Sequence, residues 1–163
     1  MSPILDLKLL LVLMATHGPS ILAGWLFGKA LSHPLDRGRN FLDGRPLFGL
    51  RKTWRGLIAA LLGAAAMTPA LGLGAITGML LAFFSMLGDL GSSFASSGVS
   101  PSPPAAAPPL LNQLPEALLP LLLLKPALGL GWLDIALTAG LFVLADIALS
   151  RLLYRLHIRN RPY

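Results

Sequence analysis

Five apolar runs, separated by turn-rich or charged stretches, make up most of this chain. They cover residues 4–31, 57–71, 75–94, 110–124 and 132–154. A helix of about 20 apolar residues crosses the hydrocarbon core of a bilayer, and most of these runs approach that length. The sequence therefore predicts an all-α integral membrane protein with about five transmembrane helices in one membrane domain, residues 1–163.

Composition excludes several other classes. Only 12% of the residues are charged, whereas a soluble domain carries about twice that share, and the mean hydropathy is +0.71. The chain has no cysteine, which excludes disulfides, thiolate metal sites and cysteine nucleophiles. The net charge of +6 suits anionic lipids and nucleotide phosphates. We expect no nucleic-acid partner, because the basic residues lie in short stretches beside apolar helices.

The polar stretch at 32–56 is the main candidate for a binding site. It contains six of the thirteen Lys and Arg residues and two of the seven acidic residues. Its glycines and prolines indicate a folded loop, and backbone amides beside basic side chains suit a phosphate-rich ligand. The alternative is a basic loop that only sets the topology of the membrane protein.

The distribution of basic residues predicts an orientation. The 32–56 loop and the chain after residue 150 hold ten of the thirteen Lys and Arg residues. Five crossings place the 32–56 loop, the 95–109 segment and the 155–163 tail on one side, which the positive-inside rule makes cytoplasmic. The Ser-, Ala- and Pro-rich 95–109 segment is predicted to be a mobile loop.

Acidic residues near the apolar runs are functional candidates, because a charge near the membrane is costly. Asp89, Ser92 and Ser93 share one helix face by their spacing. A structural pair with a loop arginine is the alternative for Asp89. Asp134 is expected to be solvated, and Asp146 is expected to form an ion pair with an arginine of another segment.

Several other polar and aromatic residues have predicted roles, and two of them, His17 and Glu116, keep two interpretations. His17, beside a predicted helix interruption at 17–20, is either a lining residue or an interior histidine with satisfied hydrogen bonds. Asn112 is predicted to be a helix N-cap. Glu116, on the same face, either compensates the helix dipole or lines an active site. Trp132 and Tyr154 are placed as membrane-interface anchors.

Several motifs together resemble the CDP-archaeol synthases, relatives of the CDP-diacylglycerol synthases (phosphatidate cytidylyltransferases). The most specific is the run Lys-Thr-Trp-Arg-Gly at 52–56. The other motifs are Pro-Leu-Asp at 34–36, Asp-Gly-Arg at 43–45, Leu-Phe-Gly at 47–49, the Gly-Asp-Leu-Gly-Ser-Ser-Phe run at 88–94, Gln-Leu-Pro-Glu-Ala-Leu-Leu-Pro at 113–120 and the tail at 158–163. The resemblance covers most of the chain in the same order, and the last two motifs look more like the bacterial relatives.

The resemblance implies a reaction in which CTP and a phosphatidate-like or archaetidate-like lipid phosphate give a CDP-lipid and pyrophosphate with Mg²⁺. It implies that Asp89 and Lys52 are catalytic and that Asp89 binds metal, helped by Asp36 and Asn112. The nucleotide phosphates would be bound by Lys52, Thr53, Arg55 and Arg51, with Ser92, Ser93 and Glu116 lining the site. Such a transfer needs positioning and charge neutralisation more than a protein nucleophile.

The chain also departs from the family at two places. Relatives carry a basic cluster shortly after the motif of Asp89, whereas residues 95–109 hold no positive charge here. Relatives have an aspartate where this chain has Asn112. These differences keep open a catalytically degenerate protein of the same fold that binds nucleotide or anionic lipid. A small transporter component is a third hypothesis, although no internal repeat supports it.

Overall fold

The computed structural model describes residues 2–27, 33, 53–99 and 109–155, which form an all-helical bundle. The all-α part of the predicted fold class is confirmed. The helices are α1 (Pro3–Phe27), α2 (Trp54–Ala70), α3 (Ala75–Val99), α4 (Pro109–Leu123), the short α5 (Lys125–Leu128) and α6 (Trp132–Arg155). Within the described ranges, Ala75–Phe94 and Trp132–Leu152 are long and apolar enough to cross a membrane.

The five long helices form a closed ring. Each contacts the next in the order α1, α2, α3, α4, α6 and back to α1, and α1 also contacts α3. The buried core draws on every one of these helices, and its members include Leu9, Leu13, Ala64, Leu81, Leu121 and Phe142. Large apolar side chains on the outer faces of α3 and α6, such as Phe83 and Leu144, are exposed. A surface of this kind is typical of helices that face lipid.

The helix α2 ends in a tight turn at residues 72–74, as predicted, and this turn connects it to α3. The N–H of Leu73 donates to the carbonyl of Thr68 (2.9 Å), and the N–H of Gly72 donates to that of Pro69 (3.0 Å). Gly72 has a φ of +73°. These two bonds and a left-handed glycine define a Schellman motif, which satisfies the last carbonyls of α2 and turns the chain back.

Three helices differ from the sequence-based expectation in where they begin, end or continue. The helix α1 continues through residues 17–20, so the predicted interruption there is wrong. The helix α3 extends past Phe94 to Val99, because proline is absent until residue 101. The helix α4 begins at Pro109, so Asn112 lies inside the helix and is not its N-cap. Proline at the first position of a helix is favourable, since its missing N–H is not needed there.

Contacts between helices show which ends lie together. Gly88, late in α3, lies against Pro115, early in α4, and Gln113 of α4 binds Asp146, late in α6. We call this the Asp89 end of the bundle. At the opposite end, the Lys8 side chain of α1 lies beside Gly72, with Nζ 3.6 Å from where a Cβ would stand. We call this the Asp134 end.

The expectation that Asp134 is solvated is wrong. Its side chain is buried at the first turn of α6, and its Oδ2 accepts a hydrogen bond from the N–H of Gly131 (2.9 Å). This contact is one half of a capping box, in which an acidic side chain reaches back to the residue before the helix. The carboxyl also interacts electrostatically with that of Asp6 in α1. Asp134 is therefore held inside the bundle by the start of its own helix.

Candidate active site

The close approach of α3 and α4 at Gly88 positions the candidate site. A Cβ added at Gly88 would lie 2.3 Å from the carbonyl oxygen of Pro115 and 2.9 Å from the Cα of Glu116. Both atoms belong to the backbone and cannot rotate away, so only glycine allows this packing. The contact sets the backbone next to Asp89 directly against the segment of α4 that carries Glu116.

The α3 side of the site contains the predicted polar face. Asp89 and Ser93 are half-buried, and Ser92 is buried. The hydroxyl of Ser92 donates to the backbone carbonyl of Asp89 (2.9 Å), one turn earlier. This bond keeps the Ser92 hydroxyl on its own helix.

The α4 side contributes Glu116, which is only 5% exposed. Because α4 begins at Pro109, Glu116 lies beyond the first turn, where an acidic side chain gains little from the helix dipole. The position of Glu116 therefore argues against the helix-dipole interpretation, and its role as a lining residue stays a prediction.

The start of α2 carries Thr53 and Arg55 at the same end. Thr53 is the N-cap, and its Oγ1 accepts a hydrogen bond from the N–H of Gly56 (3.2 Å). The N–H of Trp54 donates to the carbonyl of His33 (3.2 Å), which connects α2 to the basic loop. Two of the first amides of α2 are therefore already bonded. Phosphate binding at this helix start would fall mainly to side chains such as the half-buried Arg55.

Two residues that the sequence analysis did not assign to the site form a buried polar contact at the Asp89 end. The amide Nε2 of Gln113 donates to Oδ2 of Asp146 (2.5 Å), and both side chains are at least nine-tenths buried. The expectation of an arginine partner for Asp146 is wrong for the described part of the chain, where the partner is this amide. An acid deep in the last apolar run was a usable signal, but the sequence could not show which segment faces it.

Some predicted site residues lie outside the described residues. These are Asp36, Arg51 and Lys52, together with the side chains of Asn112 and His17. Among the described side chains, no three of the His, Cys, Asp and Glu type are grouped closely enough to hold a metal ion. Asp89 and Glu116 are the two carboxylates on the α3 and α4 segments that Gly88 brings together.

Comparison with solved structures shows the class of protein to which this bundle belongs. The fold is similar to that of an intramembrane enzyme for archaeal membrane lipid biosynthesis, with a TM-score of 0.66 and 25% sequence identity. The match covers 86% of this chain and 91% of the other. The protein is therefore a helical membrane protein with the architecture of an intramembrane enzyme.

Sequence comparison identifies the family. Residues 3–163 match the CarS-like CDP-archaeol synthase family. A CDP-archaeol synthase of Hyperthermus butylicus is 32% identical over 125 residues, which is 70% of this chain and 68% of that protein. The chain belongs to the CDP-archaeol synthase family, which confirms the resemblance drawn from its motifs. It is a CTP-dependent cytidylyltransferase of membrane-lipid biosynthesis, and none of these comparisons favours the degenerate alternative.

Proposed function

We propose that the Asp89 end of the bundle binds CTP and a lipid phosphate and joins them into a CDP-lipid. An oxygen of the lipid phosphate attacks the α-phosphorus of CTP and forms a new P–O bond. The bond between the α- and β-phosphates breaks, and pyrophosphate leaves. The substrate is a phosphatidate-like or archaetidate-like lipid, whose phosphate reaches the site along the helix faces.

The contact of Gly88 with Pro115 and Glu116 carries this proposal. It joins the Asp89 motif to the Gln113–Glu116 segment, two of the motifs on which the family resemblance rests. In the proposed site Lys52, Arg55 and Arg51 hold the triphosphate, and Thr53 orders the start of α2 beside it. In the same proposal, Ser92, Ser93 and Glu116 lie around the position at which the α-phosphate is aligned with the attacking oxygen.

The oxygen donors fit a magnesium ion bound together with its nucleotide. Mg²⁺ is usually held by one or two carboxylates plus substrate phosphates, so it does not need three protein carboxylates. Asp89 is the proposed first ligand, and Asp36 and Asn112 are further candidates. When bound, the ion neutralises the charge that develops on the phosphates during transfer.

We further propose that the chain crosses the membrane five times and that the Asp89 end faces the cytoplasm. The ten basic residues at 32–56 and after residue 150 support this orientation through the positive-inside rule. In this orientation the site is open to CTP from the cytosol, and the lipid phosphate reaches it from the inner leaflet. No nucleic-acid partner is proposed.

Removal of the proposed metal ligand tests the site. Purified Asp89→Asn keeps the size of the side chain but loses its charge. We expect its kcat for CDP-lipid formation to fall by about 10²-fold or more, since one preorganised charge contributes on this scale. The matched control is Asp134→Asn at the opposite end, which we expect to retain activity. Chelation of Mg²⁺ with EDTA should abolish turnover in both proteins. Full activity of Asp89→Asn would contradict the assignment.

A further inference from the structure

The helix α4 is interrupted by prolines and needs support from its neighbours. Pro115 and Pro120 both lie inside it. Each proline removes a backbone N–H, so the carbonyls of Leu111 and Glu116 lose their ordinary partners four residues on. The segment that carries Glu116 therefore has fewer internal hydrogen bonds than an uninterrupted helix, and contacts with other helices must fix its position.

The Gln113–Asp146 contact supports this segment from the α6 side. A carboxylate only accepts hydrogen bonds, so Asp146 requires the NH₂ group of the Gln113 amide to face it. The Nε2 and Oδ2 atoms are 2.5 Å apart, and a hydrogen bond to a carboxylate is stronger than a bond between neutral groups. On the α3 side, the glycine at position 88 brings the backbone of Pro115 into direct contact. The segment is thus held between two helices.

The Gln113–Asp146 contact does not maximise the stability of the folded protein. Asp146 is 9% exposed and Gln113 is 8% exposed. The second amide atom of Gln113, Oε1, is buried and has no hydrogen-bond partner within the described ranges. Burying a carboxylate and an unpaired amide oxygen costs free energy, and apolar side chains of similar volume are often as stable or more so.

We propose that Asp146 is a positioning residue for cytidylyl transfer, which acts through Gln113 to hold the Glu116 segment of α4 against Asp89. This inference rests on the proposed function of the Asp89 end. Neither Asp146 nor Gln113 needs to touch the substrate in this role. A shift of α4 away from α6 moves Glu116 relative to Asp89, and a misplacement of about 1 Å can cost about 10²-fold in rate.

An exchange of the two polar groups tests the contact. Gln113→Glu places two carboxylates face to face, and we expect its kcat to fall by about tenfold or more while the KM for CTP changes by less than about threefold. Asp146→Asn can still accept from Gln113 and should stay within about threefold of the unmodified protein. The double variant Gln113→Glu/Asp146→Asn restores a charge-assisted bond with donor and acceptor reversed. We expect it to recover kcat to within about fivefold.

An apolar replacement separates positioning from stability. Gln113→Met combined with Asp146→Leu removes the contact but keeps a packed interior, so it should fold with an unchanged or raised Tm. Positioning predicts that its kcat still falls by about tenfold or more. The control is Thr138→Val, a buried position about two turns earlier on α6, which should leave kcat unchanged.

The outcomes are distinguishable. If the unmodified protein forms no CDP-lipid, the proposed function fails first and this inference fails with it. If the unmodified protein is active and the Met/Leu variant is folded with normal kcat, only the positioning role is wrong. The positioning role is also wrong if the double variant Gln113→Glu/Asp146→Asn has a kcat as low as that of Gln113→Glu. An intact hydrogen bond would then have failed to restore the rate.

Discussion

At the scale of single residues, the glycines of α3 are not equivalent. Gly88 lies where α3 and α4 touch, and any side chain there would meet backbone atoms of Pro115 and Glu116. Gly91 lies one turn later, and in the described part of the chain no atom of a neighbouring helix comes within 4 Å of its Cβ position. Both glycines belong to one motif, but only Gly88 is needed for helix packing.

The pair gives a prediction with an internal control. Gly88→Ala should destabilise the protein by about 1–3 kcal/mol, because the methyl group forces the two helices apart. Gly91→Ala should leave stability unchanged or raise it by about 0.5–1 kcal/mol, since alanine is the better helix former. Thermal unfolding in detergent measures both. Equal Tm values for the two variants would contradict the α3–α4 contact.

The sequence predicted which single residues belong to the site, but it did not predict which residues they contact. Asp89 was a candidate because a charge near a membrane is costly, and Glu116 because it shares a helix face with Asn112. The structure brings their two segments together. The partners of Asp146 and the burial of Asp134 depend on which helices are neighbours. Helix neighbours come from long-range packing, and hydrophobic periodicity carries no information about them.

At the scale of secondary-structure elements, α2 shows how local chemistry sets the boundaries of a helix. Thr53 caps its start, and the Schellman motif at Gly72 closes its end. Such signals can be read from a sequence. The start of α4 was harder to predict, because Asn112 is a good N-cap residue and Pro109 is also a good first residue. The two possible start signals are three residues apart, and α4 begins at the proline.

The cap of α2 leads to a prediction for Thr53. Thr53→Ala removes the acceptor for the Gly56 N–H and should lower stability by about 1 kcal/mol. Thr53→Ser keeps the hydroxyl and should lie within about 0.5 kcal/mol of the unmodified protein. Thermal unfolding distinguishes the two variants. If serine were as destabilising as alanine, the threonine methyl group would matter more than the cap.

At the scale of the whole molecule, the charge distribution gives the two ends of the bundle different environments. Among the described residues, Arg55, Arg151 and Arg155 lie at the Asp89 end, where α2 begins and α6 ends, whereas the Asp134 end carries Lys8 and Lys125 together with Asp6 and Asp134. Lys125 rests over the ring of Trp132, with Nζ 3.4 Å from the centroid. An exposed tryptophan beside a lysine is typical of a membrane interface.

The proposed orientation can be tested directly because the chain has no cysteine. We expect Tyr154→Cys, at the Asp89 end, to react with a membrane-impermeant maleimide only after the cells are opened. Ala127→Cys, at the Asp134 end, should react in intact cells. Both positions are exposed in the bundle. The reverse pattern of labelling would show that the Asp89 end faces away from the cytoplasm.

The central claim is that this chain transfers a cytidylyl group although it carries Asn112 and an uncharged 95–109 segment. The most direct measurement is to incubate the purified protein with labelled CTP, Mg²⁺ and a panel of lipid phosphates, beside the variant Asn112→Asp. We predict labelled CDP-lipid from the unmodified protein, with a rate that Asn112→Asp raises or leaves unchanged. Product from Asn112→Asp alone would contradict the account and show a degenerate site on an intact fold.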